Sequence, residues 1–286
     1  MFHVTVEVTT ECLHSCPHCN LRGASPDRME PDELRDVLSL LVDRYDLDHV
    51  ILTGGDPCLH PRFEDIVDVC FELDLDVGVN VATATHPVLG EARWVFVAFE
   101  PHREYGLDEA VRVWREVERY GPEEMSANTV VCRSTFDKLR DVNDLVVELG
   151  ARAHYLIAYV PRGPEDPEDK YPHLEVPGLV KRLKRAVLAG MPFQEEVPFG
   201  QCVHGVYNLH VRVDGRFSPC QHWRDFTVSL EEFEAMADLE PEGPCEGCPR
   251  FGECQGGCNA YAWYVTGRIM PDPRCPRVRE GSVPGF

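Results

Sequence analysis

Three cysteines lie within eight residues near the start of the chain, in the segment CLHSCPHC. Close-spaced thiolates of this kind bind zinc or iron–sulfur clusters. A structural zinc site takes four protein ligands and a cubane cluster has four irons, so Cys12, Cys16 and Cys19 leave one position to another group. The residues alone leave three hypotheses open: an iron with an open coordination position, a zinc site completed by His14 or His18, or three unrelated thiols.

Seven further cysteines occupy the C-terminal part of the chain, where Gly and Pro become frequent and regular alternation stops after about residue 200. They are Cys202, Cys220, Cys245, Cys248, Cys254, Cys258 and Cys275. A hydrophobic core cannot organise such a segment unaided, so we expect metal clusters to do so. A pair of zinc knuckles is the alternative, because CxxC pairs are common in zinc sites.

Thirteen cysteines in 286 residues, most of them in close-spaced groups, indicate metal or redox chemistry rather than a disulfide framework. The N-terminal sequence has no basic stretch and no apolar h-region, so we expect no signal peptide. No apolar run approaches the length that spans a bilayer. These features predict a cytoplasmic protein that has no membrane partner and keeps its thiols reduced.

The formal net charge of −21 argues against a nucleic-acid partner, because phosphate groups would be repelled over most of the surface. Such acidity is typical of a solvated surface suited to a salty cytoplasm. The alternative interpretation is attraction of a basic substrate, such as a peptide that carries Lys or Arg.

The elements that must position these cysteines alternate between strand-like and helix-like segments. Strand-like segments are predicted at residues 3–9, 49–53, 75–81, 94–99, 126–132 and 153–160. Helix-like segments are predicted at residues 31–44, 61–73, 108–120, 137–149 and 175–189, with a polar, Pro-rich break at 162–172. Six strand–helix units in this order predict parallel strands joined by right-handed crossovers.

Six units are too few to close an eight-stranded barrel. We therefore predict an α/β fold with an open, partial (β/α)6 TIM-like barrel over residues 1–195. A small cysteine-rich α+β domain, organised by clusters, is predicted over residues 196–286. Ligands of parallel sheets bind at the carboxyl ends of the strands. The polar segments at those ends are the cysteine loop, the GGDP turn at 54–57, Asn80, Glu100 and Asn128.

The spacing Cys12-x3-Cys16-x2-Cys19, directly after a first strand, resembles the cluster loop of the radical S-adenosylmethionine (SAM) enzymes. The resemblance implies that the thiolates bind three irons of a 4Fe-4S cluster and that SAM chelates the fourth. An electron from the cluster then cleaves SAM to methionine and a 5′-deoxyadenosyl radical, which abstracts hydrogen from a substrate. The missing fourth thiol would be the feature that admits the cofactor.

Residues further along also resemble this family. VILTGGDP fits the second-strand motif that holds the amino group of SAM, with Asp56 where Glu is commoner, and Glu100 takes the position of a ribose-binding residue. Asn80 and Asn128 end strands three and five, and YLIAYVPRG matches the strand along the adenine. His18 stands where an aromatic residue is usual. The SAM contacts implied by the resemblance are His18, Gly54, Gly55, Asp56, Pro57, Asn80, Glu100 and Asn128.

The seven C-terminal cysteines, in register with Gly215, resemble the SPASM extension of radical SAM enzymes that modify peptides and related substrates. The resemblance implies two auxiliary clusters, and hence three 4Fe-4S clusters in the chain. The outer cluster would be held by Cys245, Cys248, Cys254 and Cys275, and the inner one by Cys202, Cys220 and Cys258. No further cysteine completes the inner cluster. Its fourth position is left to the substrate or an exchangeable ligand, or to His204 or His222.

Three cysteines lie outside both motifs. Cys70 falls on the inward face of a predicted helix and is interpreted as a small core residue. Cys58 and Cys132 sit at strand ends near the predicted pocket. A structural role is favoured for both, and a catalytic role is the alternative.

These patterns predict an oxidoreductase-like enzyme that modifies a peptide or protein side chain by hydrogen abstraction. The resemblance also implies a low-potential electron donor such as ferredoxin or flavodoxin. One alternative is the same chemistry on a small molecule, such as oxidation or decarboxylation of a tetrapyrrole side chain. The other is a multi-cluster electron carrier without SAM chemistry, which would leave GGDP and the barrel unexplained.

Overall fold

The computed structural model describes residues 2–103, 106–161, 179–180, 182–189, 208–236, 243–249, 251, 256–273, 275 and 277–278. The strands are β1 (His3–Thr9), β2 (His49–Gly54), β3 (Asp76–Val81), β4 (Trp94–Ala98), β5 (Glu124–Val131), β6 (His154–Ala158), β7 (Ala186–Ala189), β8 (Asn208–Val211) and β9 (Phe217–Ser218). The helices are α1 (Pro31–Tyr45), α2 (Phe63–Glu72), α3 (Gly106–Tyr120), α4 (Arg133–Phe136), α5 (Leu139–Glu148), α6 (Leu230–Ala235) and α7 (Asn259–Thr266).

All nine strands form one sheet in the order β7-β6-β5-β4-β3-β2-β1-β8-β9. Every neighbouring pair is parallel except β8 and β9, which are antiparallel. The first six strands lie side by side in chain order, as right-handed crossovers between parallel strands require. The predicted order and parallel direction of the six strands are therefore confirmed.

Burial explains why these segments form strands and covering helices. Val4, Val6 and Val8 of β1 are fully buried, and the alternate residues Thr5 and Glu7 on the other face are buried too. Burial on both faces is typical of a central parallel strand with layers on each side. The sheet thus carries a polar side chain, Glu7, into the interior of the fold.

Helix α1 illustrates how the covering helices are specified. Pro31 occupies its first turn, where the missing N–H costs nothing, and the Glu33 carboxylate accepts the N–H of Glu30. Leu34, Leu38 and Leu41 form the buried stripe. Their spacing is the helical period that predicted this element.

The prediction of a helix over 175–189 is wrong at its C-terminal end. Residues 179–180 are helical, but Ala186–Ala189 form β7, which pairs parallel with β6. The reversal occurs at Arg185, whose φ of 57° lies in the left-handed region, and the Arg185 carbonyl accepts the N–H of His154. Residues 162–178 and 181, including the Pro-rich break, lie outside the described residues.

The C-terminal segment extends the same sheet from the other side. Strand β8 pairs parallel with β1, and β9 turns back against β8. Helix α6 then packs beside α1, where Phe233 meets the rings of Phe2 and Tyr45. Residues 195 and 196 lie outside the described residues, so the predicted domain boundary stays a prediction.

A second apolar cluster lies further along the C-terminal part. Trp223, Phe226 and Trp263 pack against one another, with Trp223 stacked on Phe226. Cys220 and Cys258 pack against this aromatic cluster. None of the helices in the described part of the chain combines the length and apolarity that a membrane crossing requires.

Candidate active site

A cavity of about 370 Å³ opens at the carboxyl ends of the strands, where the sequence predicts a ligand. One wall is built by the cysteine loop and by Gly54 and Gly55 at the end of β2. The remaining part of the lining, called here the opposite wall, combines Glu7 of β1 with the ends of β5 and β6 and part of the C-terminal segment. Among its residues are Glu7, Val130, Ile157, Tyr159, Val160, His210, Gln221 and His222. All three N-terminal cysteines line this one cavity.

The two glycines of the GGDP turn are required by the cysteine loop. The turn runs along that loop, because Gly55 donates its N–H to the Thr9 carbonyl at 2.8 Å and Asp56 donates to the Glu11 carbonyl at 2.7 Å. A Cβ on Gly54 would lie 2.1 Å from the Thr9 oxygen, and one on Gly55 would lie 2.0 Å from the Glu11 oxygen. Only glycine allows the two backbones to approach this closely.

The thiols have hydrogen-bond donors. Arg103 donates its Nε–H to Cys16 Sγ at 3.3 Å, and the Leu21 amide donates to Cys19 Sγ at 3.3 Å. Burial favours the neutral thiol of Cys16, but the neighbouring His102 and Arg103 outweigh it and lower its pKa. Burial raises the pKa of the Cys12 thiol. Three thiols on one cavity, two of them with N–H donors, fit the ligand set of an iron–sulfur cluster.

The cysteine loop is anchored on both sides. His14 Nε2 pairs with the Glu109 carboxylate of α3 at 2.6 Å. On the other side, Asn20 donates its side-chain N–H to the Gln221 carbonyl at 3.0 Å, one residue after Cys220. This bond brings the N-terminal cysteine loop against the C-terminal cysteine segment.

Glu100 lies behind the loop, directly after β4, with two imidazoles. Its Oε1 accepts the Val130 N–H at 3.0 Å, and its Oε2 lies 3.7 Å from His18 Nε2 and 3.4 Å from His102 Nδ1. Burial opposes a charged imidazole, but the Cys16 thiolate and the Glu100 carboxylate outweigh it and raise the pKa of His102 to about 9. His18 lines the cavity, and Glu100 lies just outside its lining.

Asn80 and Asn128 are brought together by the sheet, although they are far apart in the sequence. The Asn128 side-chain N–H donates to Asn80 Oδ1 at 2.9 Å across β4. The Phe99 amide donates to the Asn128 carbonyl at 2.8 Å, so this pair is held to the strand that leads to Glu100.

Asp56 has a different environment from the glycines before it. Its side chain is fully buried, and Oδ2 accepts three donors: the Thr83 N–H, the Thr83 hydroxyl and the Ala84 N–H. Pro57 follows it into a short 3-10 turn and is buried. Asp56 therefore fastens the turn to the segment after β3, and neither residue lines the cavity.

The cysteines outside the motifs also lie outside the cavity lining. Cys58 packs on the main core, where burial and Asp56 raise the pKa of its thiol. Cys132 is buried beside the hydroxyls of Ser134 and Thr135 at the start of α4. Cys70 of α2 is buried in the main hydrophobic core, as predicted, and burial raises the pKa of its thiol to about 12. These environments support structural roles for all three residues.

The opposite wall contains a buried charged network that the sequence analysis missed. Glu7 Oε1 accepts from Arg224 Nε at 2.7 Å and pairs with His210 Nε2 at 2.9 Å. Burial opposes the charge of Glu7, but His210 and Arg224 outweigh it and lower its pKa to about 2. The available signal was the single acidic residue in the alternating segment HVTVEVT. His102 and Arg103 were also missed, although only Pro101 separates them from Glu100.

The C-terminal thiols are partly described. Cys258 begins α7, its Sγ accepts the Tyr261 N–H, and its own N–H donates to the buried Asp272. The Cys275 N–H donates to the Asp272 carbonyl, which ties the two cysteine segments together. Cys202, His204 and Cys254 lie outside the described residues. His222 lines the cavity, and burial lowers its pKa to about 4.

Comparison with protein families gives a match over the N-terminal part of the chain. The model of the Radical SAM superfamily matches residues 6–109, which include the cysteine loop, the GGDP turn and Glu100. This segment is therefore similar to the domain of that superfamily. A comparison with curated proteins finds no significant match.

Solved structures share the fold over almost the whole chain. Streptococcus suis SuiB bound to S-adenosylmethionine has a TM-score of 0.72 at 13% identity, covering 97% of this chain and 77% of that chain. SuiB bound to precursor peptide SuiA gives 0.72 at 12% identity, with coverages of 95% and 74%. Native anSMEcpe with bound AdoMet gives 0.69 at 14% identity, with coverages of 97% and 95%. The matches confirm the α/β partial-barrel architecture.

Proposed function

We propose that the chain is a radical SAM enzyme that modifies the side chain of a peptide or protein. The observation that carries the proposal is the meeting of Cys12, Cys16, Cys19 and the Gly54–Gly55 turn in one cavity, inside the segment that matches the Radical SAM superfamily. When bound, a 4Fe-4S cluster and SAM would supply the 5′-deoxyadenosyl radical that abstracts hydrogen from the substrate.

The residues of the cysteine-loop wall would hold this cofactor pair. The three thiolates would bind the cluster, and Arg103 would stabilise the Cys16 thiolate through its N–H···S bond. The Gly54–Gly55 turn would present its backbone to SAM from a position fixed by the cysteine loop. In this proposal Asp56 acts through the turn, because its carboxylate is occupied by donors from Thr83 and Ala84.

The five remaining predicted contacts comprise one residue that lines the cavity and four that lie outside its lining. They are His18, Pro57, Asn80, Glu100 and Asn128. His18 lines the cavity directly. The hydrogen bond between the two asparagine side chains and the bond from Val130 to Glu100 would fix the polar groups before SAM binds, so that less ordering is required on binding.

The C-terminal part would be a SPASM-like domain with two auxiliary 4Fe-4S clusters, for a total of three. Cys245, Cys248, Cys254 and Cys275 would hold the outer cluster, and Cys202, Cys220 and Cys258 the inner one. The packing of Cys220 and Cys258 on one aromatic cluster supports their shared role. The Asn20–Gln221 bond places this segment against the N-terminal loop, so an auxiliary cluster would lie near the reacting substrate.

A peptide substrate is favoured by the fold and by the cavity. SuiB, which shares this fold, has been crystallised with precursor peptide SuiA. A cavity of about 370 Å³ is at the small end of ligand pockets. It would admit one side chain of a longer chain beside SAM, with the rest of the peptide outside. A low-potential donor such as ferredoxin or flavodoxin would supply the electron.

The proposal is tested by SAM cleavage. Anaerobically reduced protein given SAM should release 5′-deoxyadenosine, measured by liquid chromatography, and the triple variant Cys12→Ala, Cys16→Ala, Cys19→Ala should release none. Cys70→Ala is the matched control, because this thiol is buried in the core of α2 away from the cavity. Equal release by the triple variant and the wild type would refute the assignment and leave the electron-carrier hypothesis.

The substrate class needs a second measurement. Candidate peptides and tetrapyrroles, uniformly deuterated, should be incubated separately with enzyme and SAM. Deuterium in the 5′-deoxyadenosine, detected by mass spectrometry, identifies the molecule that lost hydrogen. Transfer from a tetrapyrrole and from none of the peptides would replace the peptide proposal with the small-molecule alternative.

A further inference from the structure

Three side chains that can bind a metal converge behind the cysteine loop, with a carboxylate beside them. Ligand atoms of Cys16, His18 and His102 all lie within 4.8 Å of one another. Among the described residues, this is the single set of three such groups that lie so close together. All three side chains are largely buried.

Glu100 places a carboxylate beside the two imidazoles. Its Oε2 lies 3.7 Å from His18 Nε2 and 3.4 Å from His102 Nδ1. Ligand atoms at neighbouring corners of a zinc tetrahedron lie about 3.3–3.6 Å apart. The His102 contact falls within this range, and the His18 contact lies outside it. Glu100 is also outside the set of groups whose ligand atoms all lie within 4.8 Å of one another, so it serves as the partner that orients the imidazoles.

The groups around these donors orient them as a metal site requires. Glu100 Oε1 accepts the Val130 N–H, so Oε2 is left to face the two imidazoles. The rings of His18 and His102 are nearly perpendicular, at 83° with centroids 4.5 Å apart, so neither blocks the other. Arg103 donates to Cys16 Sγ from one side, and the sulfur keeps lone pairs for a metal. Such partners fix ligand orientation.

We propose that Cys16, His18 and His102 form a mononuclear site for a divalent ion of the zinc class, with water in the fourth position, when the N-terminal cluster is absent. One thiolate and two imidazoles are zinc ligands, and a zinc site with three protein ligands keeps its fourth position for water or another group. Because the site uses Cys16, the ion and the proposed cluster exclude each other. The exclusion rests on the proposed function, whereas the metal site itself does not.

The site can be tested in a full-length chain that cannot assemble the N-terminal cluster. The parent is the double variant Cys12→Ala, Cys19→Ala, which keeps all three proposed ligands. Cobalt(II) is the probe, because tetrahedral cobalt with a thiolate ligand has intense visible and charge-transfer bands. The same chain with Cys16→Ala in addition is the blank, and it removes any signal from the C-terminal cysteines.

We expect the parent to bind one cobalt ion with tetrahedral bands above the blank, and zinc to displace it. Adding His102→Ala should weaken binding by about 100-fold or more, since even outer partners of metal ligands are worth 10–100-fold. Cobalt bands equal to the blank, or an affinity that His102→Ala leaves unchanged, would overturn the site. Circular dichroism of each variant separates loss of the site from loss of the fold.

The exclusion is tested in the wild-type chain stripped of its clusters. One equivalent of zinc before anaerobic reconstitution should reduce SAM-cleaving activity and the electron paramagnetic resonance signal of the N-terminal cluster. The variant His102→Ala should resist this zinc effect. Inhibition by zinc to the same extent in both chains would overturn the exclusion. Absence of SAM cleavage in every chain, with cobalt binding intact, would instead count against the proposed function.

Discussion

The two walls of the cavity are built in opposite ways. The cysteine-loop wall takes its three thiols from eight consecutive residues, and backbone hydrogen bonds hold the Gly54–Gly55 turn against it. The opposite wall is held by buried side chains from distant segments: Glu7 pairs with His210 and Arg224, 203 and 217 residues away. The first wall therefore depends on close backbone approach, and the second on burial of paired charges.

This difference predicts different sensitivities. On the cysteine-loop side, a single added methyl group displaces the backbone that carries the thiols. In the opposite wall, a comparable displacement requires removal of one charge of a pair. A buried ion that has lost its partner strongly destabilises the fold. Three substitutions test the contrast, in order of decreasing expected effect.

Gly55→Ala should have the largest effect on SAM cleavage. The new Cβ would lie 2.0 Å from the Glu11 carbonyl oxygen, so the cysteine loop and the turn must separate. Displacement of about 1 Å can cost 100-fold in rate, so 5′-deoxyadenosine release should fall by about that factor or more. Iron content and the release rate are the measurements.

Gly121→Ala is the control for this prediction. Gly121 has a φ of 81° but nothing within 4 Å of an added Cβ, so alanine there adds backbone strain without a clash. It should lower stability by about 1 kcal/mol and leave 5′-deoxyadenosine release unchanged. If Gly55→Ala behaves like Gly121→Ala, close backbone approach does not define the first wall.

Glu7→Gln should have an intermediate effect, and one that depends on pH. The folded-state pKa of Glu7, about 2, lies below its ordinary value of 4.5. Its ionised form therefore stabilises the fold fully above pH 4.5, and this stabilisation is lost as the pH falls from 4.5 towards 2. A difference of this size corresponds to about 3 kcal/mol. The wild type should be more stable than Glu7→Gln at pH 7, and the gap should close in acid.

Urea midpoints of both chains under anaerobic conditions, from pH 7 to pH 3, measure that gap. Glu234→Gln is the control, because Glu234 pairs with Arg44 at the exposed surface and should show no resolvable gap. A gap for Glu7→Gln that is constant with pH would mean that lost packing, and not the charge of Glu7, accounts for the difference.

The same contrast explains which features the sequence could predict. The cysteine loop and the Gly-Gly turn are short, contiguous patterns, and strands β1 to β6 have local periodicity. Strand β7 was predicted as helix, because Leu179, Val180 and Leu183 follow helical spacing up to Arg185, where the chain reverses. The pairing of β8 with β1 has no local signal, since it joins residues about 205 positions apart.

The site residues show the same difference between local patterns, which the sequence predicts, and contacts between distant segments, which it does not. Asn80 and Asn128 were predicted only as separate SAM contacts near the carboxyl ends of strands three and five, and parallel strand order brings them close enough to share a hydrogen bond. The Glu7 network could not be predicted, because its partners come from the segment after residue 208. His102 and Arg103 were within reach of the sequence, since only Pro101 separates them from Glu100, but charged residues after a strand are also typical of a solvated loop.

Asn20→Ala should have the smallest effect, and it tests whether the two walls are coupled. The Asn20 side chain donates to the Gln221 carbonyl at 3.0 Å, which makes it a direct hydrogen bond between the walls. A neutral hydrogen bond contributes about 0.5–1.5 kcal/mol, so the urea midpoint should fall slightly while iron content stays constant. The double variant with Glu7→Gln is the informative chain. If the walls are held independently, the two losses in stability should add to within about 0.5 kcal/mol. A larger departure from additivity would mean that the Glu7 network positions the Gln221 carbonyl that Asn20 contacts. The two walls would then differ in the interactions that build them, but their contributions to stability would not be independent.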